Sequence, residues 1–246
     1  MNAIWKEHYK LRTFDVDLTN HVKISSMFNF MQESASNSAD SLGFGYDQLI
    51  DEQLFWVLSR AKIAFNMLPS LGDEIMIETW PRGLDKIFAL RDFLIYDAKN
   101  ALIGKATTSW LMVDGKTKRP IRTDTLAQRI PIIEAKSAIN EVCGKIENIS
   151  NTELINEVKV GYIDIDINQH LNNVKYIEYI LNCFPIDYYK NNSINKLQVN
   201  FLSESRYNDV ICLYKCKTNE EDSKYYVEGI NQNDHKVFQA SIEWDT

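Results

Sequence analysis

Two short stretches decide the fold: Asp15-Val-Asp17-Leu-Thr19-Asn-His21 near the start of the chain, and Asp164-Ile-Asp166-Ile-Asn168-Gln-His170 well past its middle. Their aspartates and histidines coincide at an offset of 149 residues. At the same offset Met27, Phe28, Phe30 and Met31 stand opposite Tyr176, Ile177, Tyr179 and Ile180, so both stretches lead into apolar segments of helical period. A second match pairs Phe65 and Asp73-Glu-Ile75 with Phe201 and Asp209-Val-Ile211 at an offset of 136. A third pairs Ala106-Thr-Thr-Ser-Trp110 with Ala240-Ser-Ile-Glu-Trp244 at an offset of 134. Each match alone is weak, but three in one order, with offsets that shrink as loops shorten, mark an internal repeat. The chain reads as two diverged copies of one unit of roughly 100 to 130 residues, an ordinary domain size.

Composition agrees with that reading and excludes several functions. Of 246 residues, 45% are hydrophobic and 25% charged, enough apolar material for packed cores and unlike a disordered chain. Lys and Arg number 27 against 34 Asp and Glu, a net charge of −7, which argues against a general nucleic-acid binder. No uninterrupted apolar run is long enough to span a membrane, and the opening Trp5-Lys-Glu-His-Tyr-Lys10 lacks the apolar stretch of a signal peptide. A cytoplasmic protein is expected. Cys212 and Cys216, of the four cysteines, fall on one face of an alternating run and read as core or half-buried thiols, not as a metal site. Glycine-flanked serine, phosphate-loop and zincin motifs are absent.

Periodicity gives each copy a strand, the aspartate motif, a helix and a meander of four strands. In the first copy strands are expected near 7–12, 55–65, 74–80, 86–96 and 102–113, with a helix near 25–39. The second repeats this with strands near 153–160, 197–203, 210–217, 225–231 and 236–244, and a helix near 173–183 stopped by Pro185. Ser25 and Asn172 or Asn173 are candidate helix N-caps. Both helices are apolar around most of their circumference, so each is expected to be buried within a sheet that curls around it. The class is α+β, with an N-terminal domain over 1–125, a connector over 126–150 in which Ile130, Ile132 and Ile133 pack, and a C-terminal domain over 151–246.

The copies differ in chemical equipment. Thr19 stands where the second copy has Asn168, and Leu68 where it has Glu204. On an extended segment Asp166, Asn168 and His170 would share one side, just before a helix N-terminus that favours developing negative charge. Asn168 could donate to an oxyanion, Asp166 and His170 could orient and polarise, and Glu204 could act as a base. The competing reading is a capping and turn cluster in which the aspartate and asparagine bond local backbone.

The run Asp164-Ile-Asp-Ile-Asn-Gln-His-Leu-Asn-Asn-Val-Lys-Tyr176 resembles the signature of the plant-type acyl-ACP thioesterases. Trp56-Val-Leu-Ser-Arg60, Gly72-Asp73 with Thr79-Trp80, and Arg91-Asp92-Phe93 extend the likeness over most of the chain. The resemblance implies two tandem hotdog domains, each an antiparallel sheet wrapped around a central helix. It implies hydrolysis of fatty acyl-acyl carrier protein by an activated water, without cofactor or metal, with Asp166, Asn168, His170 and Glu204 as the catalytic set. Which carboxylate is the general base stays open. The family's cysteine, once considered a nucleophile, is Ser205 here, which counts against a covalent thiol mechanism. The resemblance also puts the acyl chain in the N-terminal half, with Met27, Phe28, Met31 and Trp56 as candidate lining, though ordinary core is the commoner role for such residues. An acidic carrier protein calls for a local basic surface, for which Lys116, Lys118, Arg119 and Arg122 are the densest run and Arg82 with Lys86 the second choice. Without the N-terminal extension of plant members, a bacterial, cytosolic form is expected. An acyl-CoA thioesterase and a non-catalytic acyl-binding protein of the same fold are the alternatives, and both a monomer and a homodimer are compatible.

Overall fold

The computed structural model describes residues 3–122, 125, 127–133, 135–219 and 223–245. Positions 1 and 246, the outer ends of the expected domains, and Leu126, the expected start of the connector, lie outside the described residues. The chain forms two compact units, Met1–Cys143 and Gly144–Thr246.

The first unit runs β1 (Trp5–Lys10), α1 (Ile24–Ser41), α2 (Tyr46–Ile50), β2 (Leu54–Phe65), β3 (Glu74–Asp85), β4 (Phe88–Asp97) and β5 (Leu102–Asp114). Its strands lie in the order β1-β3-β4-β5-β2, all antiparallel. The second unit runs β6 (Glu153–Lys159), a 3-10 turn (Tyr162–Asp164), α3 (Asn173–Leu181), α4 (Ile186–Asn191), β7 (Ser193–Phe201), β8 (Val210–Lys217), β9 (Lys224–Asn231) and β10 (Lys236–Asp245). Its order, β6-β8-β9-β10-β7, is the same one. The register repeats as well: Ile63 faces Ala106 and Phe65 faces Gly104 in one unit, while Val199 faces Ala240 and Phe201 faces Phe238 in the other. Those partners are the ones the 136 and 134 offsets dictate. Strand alternation does the rest: in β8, Ile211 and Leu213 are fully buried while Cys212 and Cys216 are half-buried.

In each unit the long helix packs on the sheet, α1 against β1 and β3, and α3 through Tyr176, whose ring is edge-on to Phe201 and Phe238 at 5.8 Å each. This is the hotdog arrangement. α3 starts as read, with Asn172 Oδ1 accepting from the Val174 amide at 2.8 Å. α1 does not: Lys23 is its N-cap, without a side-chain bond, and Ser25 and Ser26 are buried in the first turn. The N-terminal half of α1 is buried nearly all round, but its second half exposes Glu33, Ser36 and Asp40 and turns Ser34 and Ser38 inward. There Ser34 pairs with the Tyr9 hydroxyl at 2.9 Å and Ser38 accepts from the buried Arg91 at 3.0 Å. Burial lowers the Arg91 guanidinium to about 10, which leaves it charged at neutral pH.

One steric exchange separates the two interiors. The cross-strand pair Ile95 and Gly104 in the first unit becomes Gly229 and Phe238 in the second, and a Cβ on Gly229 would run into the Phe238 ring. Beyond α3, Phe184, Tyr188 and Tyr189 close around Trp244 with centroids 4.9–5.2 Å away, and Lys215 lies 4.6 Å over the Phe184 ring. In the first unit Ala39, Phe44, Leu49, Ala89, Met112 and Ile130 form one cluster of mixed aliphatic and aromatic side chains. Ile133 donates its amide to Pro81 O at 3.0 Å. Residues 136–143 are laid along the first unit's strands. Lys136 pairs with Glu78 and sits 4.3 Å over the Trp80 ring, Ala138 N bonds Asp92, Arg82 bonds the carbonyls of Ile139 and Asn140, and Arg60 bonds that of Cys143.

Candidate active site

Each aspartate motif folds as a tight loop between the first strand and the long helix, and the two loops share one hydrogen-bond skeleton. In the first, Arg12 N donates to Asp15 Oδ2, Thr19 N to Asp17 Oδ1, Asp17 N to His21 O and Lys23 N to Asp15 O. In the second the equivalent bonds run Gly161 N to Asp164 Oδ2, Asn168 N to Asp166 Oδ1, Asp166 N to His170 O and Asn172 N to Asp164 O. Asn20 and Gln169, at matching places, both have positive φ (66° and 64°), the left-handed conformation that lets the loop reverse. The segment is therefore a turn and not the extended run expected from the i, i+2, i+4 spacing. The Asp166 carboxylate is committed to the Asn168 amide at 2.8 Å, as the turn reading required.

The side chains at the loop mouth differ. In the second unit His170 Nε2 lies 3.0 Å from Glu204 Oε2, and Arg206 lies 4.0 Å from the same oxygen. Asn168 is exposed and Glu204 about half exposed (55%), so the pair is open to solvent. The first unit has Leu68 at the position of Glu204, and its His21 Nδ1 instead meets Thr19 Oγ1 at 3.1 Å. Thr19 Oγ1 in turn donates to Asp17 at 2.6 Å, closing the first loop on itself. The second loop leaves the Asn168 side chain exposed and the His170–Glu204 pair open to solvent, an amide donor and a carboxylate-bonded imidazole of the kind that can hold an oxyanion and activate a water.

The segment bearing Glu204 is fixed from several sides. Leu202 N and Ser203 N both approach Val237 O, Leu171 N bonds Ser205 O at 2.8 Å, and Arg206 N bonds Asp209 Oδ2 at 2.7 Å. The buried Tyr176 hydroxyl donates to Ser203 O at 3.3 Å. Sequence reading counted Tyr176 only as part of an apolar helix face; the signal for more was Met27 at the matching place in the first copy.

The remaining predicted residues are scattered as follows. Met27, Phe28 and Met31 are buried on α1, and half-buried Trp56 donates its indole N–H to Phe44 O at 3.1 Å beside the Ala39 and Met112 cluster. Lys116, Lys118, Arg119 and Arg122 are exposed on and just after the turn that follows β5. There Asp114 accepts the amides of Thr117 and Lys116, which hold its carboxyl below the usual range. Arg82 is unsuited to a surface role, since it is held by two connector carbonyls and lies 3.7 Å from Asp92. Burial pushes the Cys143 and Cys183 thiols up to about 12, so neither is a ready nucleophile. Ser205 is fully buried.

Comparison with known proteins identifies the family. The acyl-ACP thioesterase N-terminal domain matches residues 2–127 and the acyl-ACP thioesterase C-terminal domain matches residues 147–246. Among curated relatives, a chloroplastic acyl-[acyl-carrier-protein] hydrolase of Cuphea viscosissima is 26% identical over 84% of this chain, and an oleoyl-acyl carrier protein thioesterase of Coriandrum sativum is likewise 26% identical over 84%. The chain spans 53% and 61% of those proteins' lengths. Among solved structures, an acyl-ACP thioesterase from Bacteroides thetaiotaomicron superposes with a TM-score of 0.82 at 25% identity, covering 99% of this chain and 98% of that one. A 12:0-ACP thioesterase from Umbellularia californica shares the fold, with a TM-score of 0.85 at 22% identity over 100% of this chain and 98% of its own. With a double hotdog architecture and both units matched in order, the chain belongs to the acyl-ACP thioesterase family.

Proposed function

We propose that this protein hydrolyses the thioester of a fatty acyl chain carried on acyl carrier protein, releasing the free fatty acid and the carrier thiol. The observation that carries the reading is the 3.0 Å contact between His170 Nε2 and Glu204, present in the second unit and ruled out in the first by Leu68. In the proposed reaction a water held by His170 and Glu204 adds to the thioester carbonyl carbon, with the Glu204 carboxylate accepting its proton. The Asn168 side-chain amide, exposed at the loop mouth, donates to the developing oxyanion. Collapse expels the carrier thiolate, whose ordinary pKa near about 8.5 lets it leave without strong acid assistance, and the proton held on the pair returns to it. Asp166 shapes the loop that presents Asn168 and His170. Its Oδ1 accepts from the Asn168 backbone amide, and this reading gives base duty to Glu204.

The family resemblance supports seating the acyl chain in the first unit around Met27, Phe28, Met31 and Trp56. Lys116, Lys118, Arg119 and Arg122, all exposed, are the proposed landing surface for an acidic carrier. Action in the cytoplasm is part of the same reading; among the described residues no helix is long and apolar enough to cross a membrane. The test is a release assay over acyl-ACPs of graded length beside the matching acyl-CoAs. Faster turnover of acyl-ACP, lost in Glu204→Gln and His170→Ala, is expected. Preference for acyl-CoA would overturn the carrier assignment, and full activity in both variants would overturn the site.

A further inference from the structure

The contrast between Met27 and Tyr176 points beyond packing. The two residues occupy the same place on the long helix of each unit, yet only the second unit puts a hydroxyl there, and only that unit has a glutamate to present. Tyr176 is buried between Phe201 and Phe238, and a phenol in that setting serves a partner or leaves an unpaired polar group in the core. Its partner is the carbonyl of Ser203, one residue before Glu204, at 3.3 Å. Burial pushes the phenol up to about 12, with Ser205 opposing, so the O–H stays a donor throughout the neutral range. The first unit has neither the phenol nor the carboxylate: Met67, Leu68 and Pro69 replace Ser203, Glu204 and Ser205.

Resting on the reading of His170 and Glu204 as the reacting pair, we infer that Tyr176 is a positioning residue that holds residues 203–205 from beneath so that the Glu204 carboxylate stays in reach of His170 Nε2. Glu204 is about half exposed, so its place is set by the backbone that Tyr176, Leu171 and Val237 fix. A phenylalanine at 176 would keep the aromatic contacts and remove only the hydroxyl.

The test is Tyr176→Phe, alone and in a Glu204→Gln background, with steady-state hydrolysis of acyl-ACP and the 15N signals of the His170 ring as readouts. A misplaced reacting group commonly costs one to two orders of magnitude, so a fall in kcat of about tenfold with KM within about twofold is expected for the single variant. No further fall is expected in the Glu204→Gln background, because the group being positioned is already gone. The His170 ring signals should move in Tyr176→Phe in the direction that Glu204→Gln moves them. An equal loss in both backgrounds, no loss in the single variant, or unmoved ring signals would each overturn the positioning role. Full activity in Glu204→Gln alone would overturn the reading of the site and this inference with it, whereas loss in Glu204→Gln with none in Tyr176→Phe overturns only the inference. If Tyr176→Phe does not fold, Tyr176→Met, the residue of the first unit, is read in the same way; failure of both to fold assigns Tyr176 to the core alone.

Discussion

The two aspartate loops are nearly one object drawn twice. Backbone bonds at residues 12–23 recur at residues 161–172, down to the left-handed residue in the turn, yet the first loop ends in a closed chain of Asp17, Thr19 and His21 and the second in an open pair of His170 and Glu204. The comparison separates what the motif does for folding from what it does for chemistry. Its aspartates build the turn in both units. What differs at the loop mouth is Asn168 and a residue outside the motif, Glu204, delivered by the loop after β7, and the proposed chemistry rests on those two.

Exchanging residues between the copies breaks this comparison most directly. Glu204→Leu, which gives the second unit the first unit's residue, should lower kcat for acyl-ACP by about 10²- to 10⁴-fold, the range lost with a general base, while His21→Ala in the closed loop leaves it unchanged. A measurable effect of His21→Ala would mean that both loops react. Asn168→Thr comes next, with a loss of about 10²-fold expected for an oxyanion donor; a wild-type kcat would move that duty elsewhere. Smaller effects separate turn from chemistry. Asp17→Ala and Asp166→Ala should each cost about 1–2 kcal/mol in thermal or denaturant unfolding through lost turn bonds, with only Asp166→Ala lowering the rate. Equal rate losses from both would show that the loops communicate.

The smallest effect lies outside the loops, where the connector crosses the first unit. Burial works against ionised Glu78, but Lys136 and Lys6 outweigh it and hold its carboxyl below the usual glutamate range. A depressed carboxyl contributes stability that is present above the unfolded-state value and lost as pH falls through the folded-state value. Glu78→Gln should therefore cost at most about 1 kcal/mol at neutral pH, with the difference from wild type vanishing in acid unfolding series. A difference that persists in acid would assign Glu78 a role other than the ion pair.

Much of the fold was legible because the repeat imposes the same register twice. The offsets of 136 and 134 carry the β2–β5 pairing onto β7–β10, and alternation put Cys212 and Cys216 on one face of β8, where both are half-buried. The short helices α2 and α4 were missed, since five or six residues give no periodicity to read. Ser25 looked like a helix cap by residue type, but the chain enters α1 earlier, at Lys23, where the loop bond to Asp15 fixes the backbone. At the site, the residues that differ between the copies were readable, while geometry did not follow from spacing: polar residues two apart suggest a strand face, and Asp166 instead bends the chain by bonding the backbone amide of Asn168. The contact between His170 and Glu204 joins residues 34 positions apart and depends on β7 ending where it does, which no local pattern encodes.

The aromatic packing around Trp244 gives the second unit its own optical signature. The chain has five tryptophans, and four of them, Trp5, Trp56, Trp80 and Trp110, precede Cys143. Trp244 alone reports on the second unit, with the rings of Tyr188 and Tyr189 at 4.9 and 5.2 Å, well inside the range of energy transfer from tyrosine. In a protein whose other four tryptophans are replaced by phenylalanine, tryptophan emission arises from Trp244 alone and follows the loosening of the rings of Tyr188 and Tyr189 around it.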